Sequence, residues 1–409
     1  MGSVLNRQVD SSAENLSLRA IAMLGIMLHN FCHWLPGIVD ENEFEFHAGN
    51  FENLQTALFN PDSSILLHLF SYFGHYGVSV FVFLSGYGIV LKYEQRDKKC
   101  NCSVIQYTKY YYLKLLKLLV PGYVIMLLWR LSDYFKYNDP MINPDHIVAQ
   151  ILMYINFYPN PGDIIYPGPY WFLGMLLQLY LIYRIAIYKR HWCLPVVLMV
   201  LCTGIQFFFL PDSSLLIWMK YNFIGSMLPF GLGVLYARHK LQKPHDISDD
   251  GQSRNDGSES GEYRQQHENC SSIHRIWEGR FSHINRLYQN FPKSVLWIEL
   301  LLSLALVYIT GMNMYSWILT PVFAITAGLC FVRILPDCIV NKLKYIGTIS
   351  AGLFIIHPVV RSGFVYRAQQ GDIIYGLSMY LFVSFAGAIV LYFVWKYLLP
   401  HIKQKNNLG

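Results

Sequence analysis

Ten times along this chain, a run of some twenty mostly apolar residues is closed off by polar or charged ones: 16–36, 64–91, 111–131, 170–188, 193–210, 215–236, 295–311, 316–335, 344–361 and 374–399. A helix needs about 20 such residues to cross the hydrocarbon core of a bilayer. The expected fold is therefore all-α: a polytopic membrane protein of about ten transmembrane helices forming a single domain over 1–399. Composition agrees. Only 14% of the 409 residues are charged and 54% are hydrophobic, whereas a soluble domain carries about 25% charged residues. Disordered, collagen-like and disulfide-scaffold chains are excluded, as are most soluble enzymes.

The connections set the expected orientation, because basic residues concentrate on the cytoplasmic side. Residues 37–63 hold Asp40, Glu41, Glu43, Glu45, Glu52 and Asp62 without a single Lys or Arg, and should lie outside. The next connection carries Lys92, Arg96, Lys98, Lys99 and Lys109, and should be cytoplasmic. Continued alternation puts both termini, and the tail 400–409, in the cytoplasm; Arg361 and Arg367 in the last outside loop are the exception. The net charge of +6 thus sits in blocks between apolar runs, which points to the bilayer rather than to nucleic acid. Residues 1–15 lack the shape of a cleaved signal, so Leu16 opens an uncleaved first span. The apolar run 147–157 is too short for an eleventh span and reads as re-entrant or interfacial. The cytoplasmic insert 238–294 is polar and Gly/Ser-rich in its middle, the composition of partial disorder; its second half is favoured as a solvated linker, although its spacing also suits a helix lying on the cytoplasmic leaflet. The eight Cys match no zinc spacing, and neither metal nor disulfides are expected.

Ionisable groups at membrane depth are costly and usually face an internal cavity. The first span, LSLRAIAMLGIMLHNFCHWLP, carries Arg19 at one end and His29, Asn30 and His33 near the other. Arg19 and His29 stand about 15 Å apart along an ideal helix, while His29 and His33 share a face. Two His and an Asn together suggest a wet polar pocket, and a lone Arg could equally reach lipid phosphates. The second span holds Ser85, Gly86 and other small residues that permit close helix approach. Lys114 and Lys117, one turn apart, suit a polyanion such as a lipid headgroup or a nucleotide phosphate. Trp171 fits an interfacial aromatic belt. The ninth span places Ser350 mid-membrane and His357 near its outer end.

In this order the segments LRAIAMLGIMLHN, VSVFVFLSGYGIVLKY, YLKLLKLLVP, YWFLGMLLQLYLIY and GTISAGLFIIHPVV resemble the acyltransferase-3 family of integral-membrane O-acyltransferases. The resemblance implies transfer of an acyl group, most often acetyl from cytoplasmic acetyl-CoA, onto a sugar handled at or beyond the membrane. It implies His29 as base, with Arg19 and His33 in the catalytic group. Lys114, Lys117, Ser85 and Gly86 would bind the donor, and Asn30, Trp171 and His357 the acceptor. The implied setting is a multi-pass membrane, the inner one in a bacterium. This chain departs from the family in two ways. The interval from Arg19 to His29 is one residue short, which makes His33 a rival base, and Lys114 and Lys117 replace paired Arg, keeping charge without bidentate geometry. Direct transfer and a covalent acyl-histidine stay open. So do a free-sugar or amino-acid acceptor and, from another class, a transporter or flippase for a sugar or lipid-linked glycan.

Overall fold

A computed structural model describes residues 11–94, 103–138, 142–241 and 293–398, and every regular element among them is helical. In chain order these are α1 (Ser11–Cys32), α2 (Ala48–Phe59), α3 (Ile65–Phe73), α4 (Gly77–Tyr93), α5 (Val104–Tyr137), α6 (Pro144–Ile151), α7 (Pro161–Ile164), α8 (Trp171–Ile182), α9 (Cys193–Gln206), α10 (Ser214–Tyr221) and α11 (Phe223–Leu241). After the insert follow α12 (Lys293–Thr310), α13 (Met314–Trp317), α14 (Thr320–Ile334), α15 (Asp337–Gln369) and α16 (Ile373–Phe393). The expected features of residues 242–292, disorder and a solvated linker or surface helix, lie outside the described residues, as does the tail 400–409.

Six helical runs are long and apolar enough to cross a membrane: Ile65–Tyr93, Val104–Tyr137, Gly168–Ile187, Lys293–Thr310, Asp337–Gln369 and Ile373–Tyr397. The sequence led to an expectation of ten. The other four stretches fall on helices too, and physical reasons set them apart. At 1.5 Å per residue, α9 and α14 reach only about 21 and 22 Å, short of a 30 Å core. The first helix is diluted by Arg19, His29 and Asn30, and α11 by Arg238, His239 and Lys240 in its last turn. The run 147–157 does not form a span: α6 stops at Ile151 and a single 3-10 turn, Ile155–Phe157, follows. There Asn156 is buried and donates to the carbonyls of Trp171 (2.9 Å) and Tyr221 (2.7 Å), tying the segment to the start of α8 and the end of α10.

α1 lies inside the bundle, packed against α3, α4, α14 and α15. Its core face is Met23, Ile26, Met27 and Phe31, all buried. α4 and α11 cross at backbone contact: Gly86 abuts the carbonyl of Phe230, and Gly233 abuts that of Phe83. A Cβ at either position would strike backbone, so these glycines set the crossing distance. Gly233→Ala is expected to destabilise the protein by about 1–3 kcal/mol through forced overpacking, read as a lower thermal midpoint in detergent. Gly88→Ala, where a Cβ meets open space, should leave the midpoint in place.

At the end of the bundle where α1 begins, charged pairs tie the helices together. Arg238 donates to both oxygens of Glu94 (2.8 and 2.9 Å), and the Tyr183 hydroxyl donates to the same carboxylate at 2.8 Å. Arg333 bonds Glu14 at 2.6 Å and the Tyr236 hydroxyl at 2.8 Å. The bidentate, partly buried Arg238–Glu94 pair fixes geometry as well as charge.

Candidate functional site

The site begins with a close approach. Where α3 ends, Gly74 touches α1 so tightly that a Cβ there would sit 2.8 Å from the Cβ of His29. That contact brings the carbonyl of Ser71 to 2.6 Å from Nδ1 of His29. A carbonyl can only accept, so Nδ1 carries the proton, and the neutral ring bears its lone pair on Nε2. Nδ1 of His33 lies 3.2 Å from that Nε2 and must therefore be the donor. A directed chain results: His33 Nδ1–H to His29 Nε2, and His29 Nδ1–H to the Ser71 carbonyl. Its free end is Nε2 of His33, which is half-buried where His29 is 3% exposed. The Ser71 hydroxyl donates to the carbonyl of Val39, pinning the following loop over the same spot.

His29, His33 and Asn30 line a cavity of about 380 Å³, closed by that loop and by the residues before α8. Its aromatic wall is built from Trp171, Phe44 and Tyr221. Phe44 stacks on Tyr221 with ring centroids 3.9 Å apart and meets Trp171 edge-on at 5.1 Å. Asp40, Glu43, Glu45 and Asp163 supply carboxylates. Burial pushes Glu43 up to about 7 and raises Asp40 as well, so near neutral pH Glu43 can both donate and accept. The cation of the cavity is Arg361. Its Nη1 donates weakly to the carbonyl and Oδ1 of Asn30 (3.3 and 3.4 Å), and the guanidinium lies 5.2 Å from the Trp34 ring centroid.

Arg361 is thus no loop residue, because α15 runs on to Gln369 and carries it within the helix. His357, one turn earlier, was expected at the acceptor site. Its ring is instead wholly buried, with Nδ1 donating to the Leu353 carbonyl at 3.0 Å, and it is absent from the cavity wall. Ser350 is likewise turned inward, onto the Gly347 carbonyl at 2.8 Å.

A second cluster forms at the opposite end of α1. Arg19 and Lys114 are exposed there, close enough to interact electrostatically, with Lys92 beside them. The ammonium of Lys92 sits 3.9 Å from the Tyr110 ring centroid and that of Lys114 5.6 Å from the Tyr111 ring centroid. Ser85 donates to the Phe81 carbonyl at 2.8 Å and meets the Tyr180 hydroxyl, which also senses Arg19. Lys117, one turn beyond Lys114, is half-buried. Gly86 stands apart: its open side is filled by the α11 backbone, so it serves helix packing rather than a ligand surface.

The expected residues therefore separate into two groups, Arg19, Lys114 and Ser85 at one end and His29, His33, Asn30 and Trp171 at the other. Sequence reasoning missed Arg361, Glu43, His75 and Lys92 as site residues. Arg361 left a trace, since it breaks the charge bias of the outer loops. His75, whose ring centroid is 5.4 Å from that of His29, left none beyond being a His in a span. Among the described residues, no group of three or more His, Cys, Asp or Glu is arranged to hold a metal ion.

A family model described as an acyltransferase domain, of acyltransferase family 3, matches residues 17–395. No curated protein and no solved structure matches the chain. The matched region takes in both clusters and all six of the long apolar helical runs but for two residues at the end of the last. This chain belongs to the acyltransferase-3 family of membrane acyltransferases.

Proposed function

We propose that the protein is a membrane-bound O-acyltransferase that moves an acyl group, acetyl from cytoplasmic acetyl-CoA, onto a sugar hydroxyl of a surface or exported glycan, with His29 as base and His33 as its partner. The observation that carries this reading is the directed chain from His33 through His29 to the Ser71 carbonyl. A hydroxyl is a poor nucleophile until its proton is taken, and a neutral imidazole with a fixed tautomer is suited to take it. His29 serves in two ways. It receives the proton directly if the acceptor displaces His33, or it shares the charge when Nε2 of His33 takes the proton.

The acceptor oxygen attacks the thioester carbonyl, the C–S bond breaks, and the imidazolium returns the proton to the leaving thiolate. Negative charge gathers on the carbonyl oxygen in between. Arg361 has N–H groups to spare for it, and preorganised donors of this kind are a large source of rate. Trp171, Phe44 and Tyr221 offer flat apolar faces to a sugar ring, and the carboxylates of Glu43 and Asp163 offer acceptors to its hydroxyls.

Arg19, Lys92 and Lys114 would hold the phosphates of the donor, whose long arm then spans the length of α1 to the histidines. This reading takes all ten apolar stretches as spans in one domain over 1–399, with both termini cytoplasmic. The basic end then receives acetyl-CoA and the acidic loop 37–63 faces the acceptor.

Sealed vesicles containing the protein, given acetyl-CoA outside the basic face and an acceptor glycan at the other, are expected to release free thiol in step with acylated product. Movement of glycan across the vesicle wall with no thiol released would instead establish a transporter.

A further inference from the structure

Beside the histidine pair lies a smaller cavity of about 50 Å³, and it shares Glu43, Val78 and Trp171 with the larger one. A single water needs about 10–15 Å³ of such space. The small cavity therefore takes one substituent of a few atoms and not a second sugar ring. Its polar lining is unusual. Lys220 faces it with its ammonium 4.3 Å from the Trp317 ring centroid, and among the described residues no carboxylate forms an ion pair with it. His75 faces it too, 2% exposed, with no side-chain partner on either ring nitrogen and only a loose approach to the Tyr72 backbone. Lys220 and His75 are near enough to act on each other electrostatically.

Buried polar groups are nearly always partnered, and buried charges are paired. A cation and an imidazole left open toward one small void are a matched request for an anion. We infer that the acceptor carries a small anionic substituent, a carboxylate or a phosphate, and that Lys220 and His75 bind it in this side cavity while the ring lies on Trp171. The ammonium supplies charge, and His75 supplies an N–H in the tautomer that turns its proton toward the void. Glu43 lies on the wall common to both cavities and forms no ion pair with Lys220. The inference rests on the larger cavity being the acceptor site.

Trp34 and Trp171 line the larger cavity, and Trp171 and Trp317 the smaller. Tryptophan emission of the full-length protein in detergent therefore reports binding without any turnover. Titrations with glucuronate, glucose 6-phosphate and glucose are expected to show one or both anions binding at least about tenfold more tightly than glucose, the tighter one naming the group. Lys220→Gln should abolish that preference while leaving the glucose titration unchanged, and Lys220→Arg should retain most of it. If neither anion binds wild-type protein more tightly than glucose, the inference is overturned. It is overturned equally if Lys220→Gln keeps the preference. Anion preference without thiol release from acetyl-CoA would count against acyl transfer and leave this site standing; thiol release without anion preference does the reverse.

Discussion

Membranes carrying His29→Ala are expected to release thiol from acetyl-CoA about 10²- to 10⁴-fold more slowly than wild type, the range that a positioned acid–base group contributes. His33→Ala should lose less, because removing the outer ring uncovers Nε2 of His29 toward the cavity. The double variant should be scarcely worse than His29→Ala alone, since groups that act as a unit are not additive. The measurement is initial rate of thiol release at saturating acetyl-CoA with acceptor present. Full activity in His29→Ala together with loss in His33→Ala would transfer the role of base to His33. Full activity in both would remove the pair from the chemistry altogether. His29→Asn makes a further discriminating variant, because it preserves a donor to the Ser71 carbonyl but has no basic nitrogen.

The second large effect is expected at Arg361. Arg361→Gln should lower kcat by about 10²–10³-fold, the usual cost of losing one oxyanion donor, with KM for acetyl-CoA little changed because the basic cluster proposed to hold the donor phosphates lies at the other end of α1. Arg361→Lys should recover part of the loss, as it restores the charge but not the planar fork. Because Arg361 also holds Asn30 and stacks near Trp34, the thermal midpoint of each variant must be compared with wild type. A fall in kcat at unchanged midpoint identifies a role in the reaction. An unchanged kcat in Arg361→Gln would leave the oxyanion without this partner.

Much of the architecture is legible in the linear chain, because a membrane span is announced by hydropathy within a single window. Every predicted stretch coincides with helix in the described residues, and the short run 147–157 indeed fails to become a span. Legibility weakens where length and polarity compete. The 14 residues of α9 and the polar groups of α1 illustrate how a window can suggest a crossing that length and composition alone do not secure. Small residues were equally ambiguous. Gly86 stood beside Ser85 as a donor-binding candidate, yet only contact with the Phe230 carbonyl distinguishes a packing glycine from one lining a ligand path.

The site was legible in part for the same reason. His29, Asn30 and His33 are neighbours on one turn-to-turn face, so helical periodicity suffices to group them. His357 looked equivalent, a His near the outer end of a span, and nothing local shows that its ring turns into the protein rather than into the cavity.

The sequence by itself determined the solvent and the inventory: a helical membrane protein, basic and acidic connections in alternation, and a first helix carrying Arg19 and two histidines. It also carried a resemblance that the family match over residues 17–395 bears out. Only the tertiary structure decided which ring nitrogen holds a proton, that Arg361 rather than His357 enters the cavity, and that Lys220 and His75 share a void of their own. The physical reason is range. Hydropathy and helix periodicity act over a few residues, whereas the Ser71 carbonyl lies 42 positions from His29 and Arg361 lies 331 positions from Asn30, so each contact exists only once the bundle has closed.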